Sequence, residues 1–192
     1  MNFNNISFIL HKPQLSENIG LCARGMKNFG FKNLSLIEPK PIFPNDKIKA
    51  TSVGAKDIIE KANIYQNLEK SLNKTDILIA TSARFRNKNI KHISLLELKK
   101  IDFSKKISFL FGSEASGLTN NEVSYADYTL QIPSNAKFRS LNLSHSLVIV
   151  AQTISNLISK EKFDFQKSKK IQKATKKAVS YTHLTLPTRA VV

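Results

Sequence analysis

Cysteine occurs once in this chain, at position 22. No internal disulfide can form, and no pair of thiolates exists to open a structural zinc site. The four histidines, His11, His92, His145 and His183, are scattered singly, so no metal centre is expected. Long apolar runs are also missing: the longest, Leu147 to Ala151, is far too short to span a bilayer. The opening MNFNNIS has no basic segment followed by a long apolar one, and a cytoplasmic protein is expected. Neither Gly-x-Gly-x-x-Gly nor Gly-x-x-x-x-Gly-Lys-Ser/Thr occurs, which disfavours ordinary dinucleotide and nucleoside-triphosphate folds. His145 between two serines has no nucleophile elbow to serve and reads as a surface histidine. Acidic residues are scarce, 14 against 30 lysines and arginines, a net charge of +16. Such an excess attracts polyphosphates through counterion release, so nucleic acid is the natural partner.

What is present reads as one globular domain with a tail. Of the 192 residues 41% are apolar and 23% charged, enough for one well-buried core. We place the domain at residues 1–160. Residues 161–178 read as a basic tail, and residues 179–192, VSYTHLTLPTRAVV, change in composition and read as a non-native addition.

Apolar runs at 6–10, 34–37, 76–80, 107–111 and 128–132 read as strands. Helical spacing follows Asn18 through Ile19, Cys22, Ala23, Met26 and Phe29, with Gly30 as C-cap. Short helical pieces are expected around Gly54, at Leu68–Leu72, at Leu95–Leu98 and from Asn120, and a long helix from Leu141 to Ile158. Strands alternating with helices predict an α/β fold with a parallel sheet, whose ligands gather beyond the carboxyl ends of the strands.

Three strand-end loops carry most of the polar groups: Thr81-Ser82-Ala83-Arg84, Gly112 to Gly117, and Asn135 to Asn142. We expect them to share one pocket. Gly112 and Gly117 allow close backbone approach to a ligand or a tight turn. Ser140 and Asn142 stand at the mouth of the last helix, where they either cap it or face a ligand. Cys22 reads as a small core residue.

Three segments, taken in order, resemble the motifs of the SPOUT-class (SpoU/TrmH-type) RNA ribose methyltransferases. They are Asn18-Ile19-Gly20-Leu21-Cys22-Ala23-Arg24 with Phe29-Gly30, Leu110 through Leu118, and Ile132-Pro133 through Ser140-Leu141-Asn142-Leu143. Thr81 to Arg84 is similar to the TrmJ branch, and the likeness covers roughly residues 4–160. Ser16 departs from the pattern, since many relatives carry proline there. The resemblance implies a C-terminal trefoil knot (an α/β knot), a homodimer, and S-adenosyl-L-methionine as cofactor. It further implies methylation of a ribose 2'-hydroxyl in tRNA, at anticodon-loop position 32. By position, Thr81, Ser82, Ala83, Gly112, Ile132, Ser140, Leu141 and Asn142 form the cofactor cleft. Arg24, Asn18, Glu114 and Ser140 form the catalytic side. The alternatives are another tRNA position, ribosomal RNA, or a catalytically silent RNA-binding protein.

Overall fold

The computed structural model describes residues 3–84 and 90–159; both expected tail segments, 161–178 and 179–192, lie outside them. The chain runs β1 (Ile6–His11), α1 (Ser16–Asn28), β2 (Asn33–Ile37), α2 (Asp46–Thr51), α3 (Lys56–Glu60), β3 (Asn63–Tyr65), α4 (Leu68–Ser71), β4 (Ile77–Thr81) and β5 (Lys91–Ser94). A 3-10 turn (Leu95–Lys100) leads to β6 (Ile107–Gly112), α5 (Asn120–Ser124), β7 (Tyr128–Gln131) and α6 (Leu143–Ile158). The seven strands form one sheet in the order β3, β2, β1, β6, β4, β7, β5, and every pairing is parallel.

Side-chain alternation on the central strands explains why both faces are covered. Ile6, Phe8 and Leu10 of β1 and Ile107, Phe109 and Phe111 of β6 point to one face, where they meet Ile19, Cys22 and Met26 of α1 and Leu147, Val150 and Ile154 of α6. Ile9 and Leu110 point the other way, into a smaller cluster with Leu68 and Val123. Phe8 stacks between Phe109 and Phe111 and meets Phe31 edge-on. Truncating such a ring to alanine typically costs about 3–5 kcal/mol.

Helix α1 is held close to its neighbours. A side chain at Gly20 would stand 2.6 Å from the Ile48 carbonyl of α2, so only glycine permits that crossing. The helix stops as its sequence suggests. Gly30 takes φ +83, its amide donates to Lys27 O, and the Phe31 amide reaches back to Met26 O at 2.9 Å, a Schellman closure.

Three expectations need correction. The first helix opens at Ser16 rather than Asn18, and α6 opens at Leu143 rather than Leu141. Asn142 alone caps α6, accepting from the Ser144 and His145 amides, and Ser140 remains in the preceding loop. The strands β3 and β5 were not expected; they are the two sheet edges, three and four residues long. Among the described residues, no helix is long and apolar enough to cross a membrane, and no three His, Cys, Asp or Glu gather as a metal site.

Candidate active site

Sheet order explains why loops distant in sequence meet. β6, β4 and β7 are immediate neighbours, and because they are parallel their carboxyl ends lie on one edge of the sheet. The loops leaving them are the three expected ones, and together they enclose a cleft of about 460 Å³. That volume is within the usual range for a small-molecule site.

The strand ends are bolted to one another before the loops diverge. Thr81 Oγ1 donates to the Leu110 carbonyl of β6 at 2.9 Å, and the Ser82 amide donates to the Leu130 carbonyl of β7 at 3.0 Å. Ser82 Oγ then accepts from the Arg84 amide at 3.1 Å, which curls the chain at the cleft wall.

Gly112 is the tightest point. It pairs with His11 across the β1–β6 ladder, its φ is +134, and a Cβ there would lie 2.2 Å from the His11 carbonyl oxygen. No other residue type fits. The following loop closes on itself, with the Gly117 amide donating to Ser113 O at 2.9 Å and the Ser113 and Ser116 hydroxyls 3.0 Å apart.

Glu114 reaches out of this loop to the start of α1. Its Oε1 accepts from the Gln14 amide at 3.1 Å and the Leu15 amide at 3.3 Å. The carboxylate thus satisfies free backbone N–H groups at a helix N-terminus, where negative charge is favoured. A second tie joins α1 to α6: Asn142 Nδ2 donates to Asn18 Oδ1 at 3.1 Å. Asn142 Oδ1 is occupied by the Ser144 amide at 2.8 Å and the Ser144 hydroxyl at 2.7 Å.

Behind the loop, His11 is buried, and burial lowers its pKa despite the opposing pull of Glu122. Its Nδ1 lies 3.5 Å from Glu122 Oε1 and makes no hydrogen bond. Cys22 is wholly buried in the core, and desolvation, assisted by the Glu114 charge, raises its thiol far above the ordinary range. It is a core residue without nucleophilic character.

Of the eight expected cofactor residues, Thr81, Ser82, Ala83, Gly112, Ile132, Ser140 and Leu141 line the cleft. Asn142 does not; it serves as the α6 cap and the tie to Asn18. On the expected catalytic side, Glu114 and Ser140 line the cleft. Asn18 is buried beside it, and Arg24 stands exposed on α1, outside the lining. The cleft also holds two cations to which the sequence assigns no role, Arg84 and Arg139. The available signal is their place in the loops that follow strands, Arg84 in the one after β4 and Arg139 in the one between β7 and α6.

A family model described as the SpoU rRNA Methylase family matches residues 5–152. The tRNA (cytidine-2'-O-)-methyltransferase TrmJ of Methanocaldococcus jannaschii is 33% identical over 82% of this chain and 70% of its own length. The tRNA (cytidine/uridine-2'-O-)-methyltransferase TrmJ of Sodalis glossinidius is 35% identical over 79% of this chain and 60% of its own. This chain therefore spans 60 to 70% of the length of those two relatives. Among solved structures, TrmJ from Z. mobilis ZM4 superposes with a TM-score of 0.74 at 29% identity, covering 79% of this chain and 69% of that one. A match over most of the domain, joined to relatives above 30% identity and a shared fold, has one reading: this chain belongs to the SpoU rRNA methylase family.

Proposed function

We propose that this protein transfers a methyl group from S-adenosyl-L-methionine to a ribose 2'-hydroxyl of tRNA, at position 32 of the anticodon loop. Its relatives' named activities support the reaction class, and one structural observation carries the reading: the loops of β4, β6 and β7 form a single cleft.

The cleft suits the cofactor chemically. It offers hydroxyls from Thr81, Ser82 and Ser140 beside the apolar Ile132, Leu141 and Leu118, a mixture fitted to a nucleoside with an aliphatic tail. Gly112 keeps the backbone open there, since its missing Cβ leaves room for the His11 carbonyl. Thr81, Ser82, Ala83, Gly112, Ile132, Ser140 and Leu141 hold the group, with Asn142 setting the loop's exit into α6. S-Adenosyl-L-methionine supplies a methyl group already activated by its sulfonium, so transfer needs alignment and the removal of one proton.

The chain's own residues provide that alignment. Glu114 and Asn18 anchor the first turn of α1 to the cofactor loops, and Ser140 faces the ribose from the cleft wall. Arg24 orients the phosphate next to the target ribose through a bidentate contact; a guanidinium is too basic to serve as an ordinary proton acceptor. Because Arg24 is exposed on α1 and outside its own cleft, we place it at the cleft of a second copy, in a homodimer. Residues 1–160 form the catalytic domain, with the trefoil knot of the family, and the basic stretch 161–178 adds electrostatic attraction for tRNA.

The test is transfer from labelled S-adenosyl-L-methionine to unmodified tRNA, followed by mass-spectrometric mapping of 2'-O-methyl groups. The expected product carries one new ribose methyl in the anticodon loop. Methylation of a base, or tight tRNA binding with no cofactor binding, overturns the reading.

A further inference from the structure

Among the described residues, every phenylalanine but one is buried or half-buried; Phe138 is 75% exposed. Its display is built into the loop. The Phe138 amide donates to Asn135 O at 2.9 Å, the Lys137 amide to Asn135 Oδ1 at 2.9 Å, the Ser134 hydroxyl to Arg139 O at 3.2 Å and Arg139 Nε to Ala136 O at 3.3 Å. Four local bonds hold the backbone of a six-residue loop, and the ring contributes to none of them. The loop is also a partition. Arg139 borders both the main cleft and a second hollow of about 400 Å³ beside β5, while Phe138 lines neither.

We propose that Phe138 is a stacking platform for a base of the bound RNA, at or next to the nucleotide being methylated. This rests on the reading of the cleft as a ribose-methylating site. Only Arg139 separates Phe138 from Ser140 at the cleft wall, a reach of no more than about 7 Å of backbone. Lys137 and Arg139 flank the ring. An apolar protein partner would have to bury those two cations, whereas an RNA strand pairs them with phosphates while its base covers the ring. Exposed aromatics interleaved with cations are how proteins hold unstacked bases of single-stranded RNA, and an anticodon loop supplies such bases. Stacking accepts any base, since each presents a π face. Phe138 therefore sets the position of the nucleotide and leaves its identity open.

The experiment uses the full chain with Phe138→Ala, Phe138→Leu and Phe138→Trp, reading the Kd for tRNA, the KM and kcat of methyl transfer, and the Kd for S-adenosyl-L-methionine. Loss of the ring weakens tRNA binding roughly tenfold to a hundredfold, raises KM, and leaves cofactor binding unchanged. Tryptophan restores binding and leucine does not. The proposal is overturned if alanine binds tRNA as the wild type does, if leucine rescues as well as tryptophan, or if the alanine variant dissociates a wild-type dimer in sedimentation. A wild type that binds tRNA without methylating it defeats the enzymatic reading alone, and the tRNA Kd of the variants still decides the role of Phe138.

Discussion

The side-chain amide of Asn142 ties the start of α6 to a residue 124 positions earlier in the chain: it caps α6 with its oxygen and donates from its nitrogen to Asn18 Oδ1 of α1 at 3.1 Å. Both functions are lost in Asn142→Ala. Losing the cap alone costs about 1 kcal/mol, and the freed Asn18 oxygen, buried with its residue, adds to that. A drop in melting temperature of several degrees is expected for a chain of this size. Asn142→Asp keeps the cap, and Asn18 can turn its amide to donate, so it should melt near the wild type. Equal melting of all three proteins would show that the junction carries no stability.

Two glycines in one loop should respond differently to the same change. Gly112 combines φ +134 with a Cβ position 2.2 Å from the His11 carbonyl, whereas Gly117 has φ +69 and open space around it. Gly117→Ala then costs only the left-handed backbone penalty, roughly 1–2 kcal/mol. Gly112→Ala adds a clash that requires β1 and β6 to separate at their carboxyl ends. We expect Gly117→Ala to fold and bind cofactor, and Gly112→Ala to lose cofactor binding or to fail to fold. Chemical denaturation and calorimetry of the two variants read this directly, and wild-type cofactor affinity in Gly112→Ala would refute it.

Acid should loosen the same region. His11 is held neutral by burial, with Lys12 also opposing its protonation, while Glu122 and Glu38 favour it. The folded pKa therefore lies below the ordinary 6.5, and the unfolded chain takes up the proton first. Stability is full above about pH 6.5 and falls as pH drops from there toward the lowered folded value. Glu122 also accepts from the Thr119 amide at the start of α5; Glu122→Gln removes one favourable charge yet can still accept there, so its melting temperature should fall more steeply with acid. His11→Asn should flatten this part of the pH profile. Parallel slopes in all three proteins would assign the acid sensitivity to other groups.

The strands most readable in the sequence were the ones buried on both faces. β1, β4 and β6 appear as short apolar runs because a parallel strand with helices on each side has no polar face to alternate. β3 (Asn63–Tyr65) and β5 (Lys91–Ser94) sit at the edges, where few residues need be apolar, and their composition gave no comparable signal. The site loops could be named from strand ends and motif likeness. Their convergence depended on β6, β4 and β7 being neighbours, a long-range pairing that no local periodicity contains. Likewise, serine and asparagine are both good helix caps, and only the turn after Pro133 decides that Asn142 caps α6 while Ser140 faces the cleft.

Arg24 provides the sharpest test of how the catalytic side is assembled. It follows Asn18 by six residues on α1, which at 3.6 residues per turn carries it about 240° around the helix and about 9 Å along it. Asn18 is turned to the Asn142 junction, so Arg24 faces away from that junction into solvent. Arg24→Ala should abolish methyl transfer while leaving the Kd for S-adenosyl-L-methionine unchanged, since the cleft proposed for the cofactor is lined without it. Arg24→Lys should recover little, because an ammonium cannot make the two-point contact to a phosphate. Mixing distinguishes the two ways in which an exposed arginine can act. Ser140→Ala alone should also be inactive. If Arg24 serves the cleft of a partner copy, Arg24→Ala chains reassociated with Ser140→Ala chains regain activity, because each mixed dimer has one cleft with both groups intact. If Arg24 serves its own chain's cleft, every cleft in the mixture lacks one of the two groups and the mixture stays inactive.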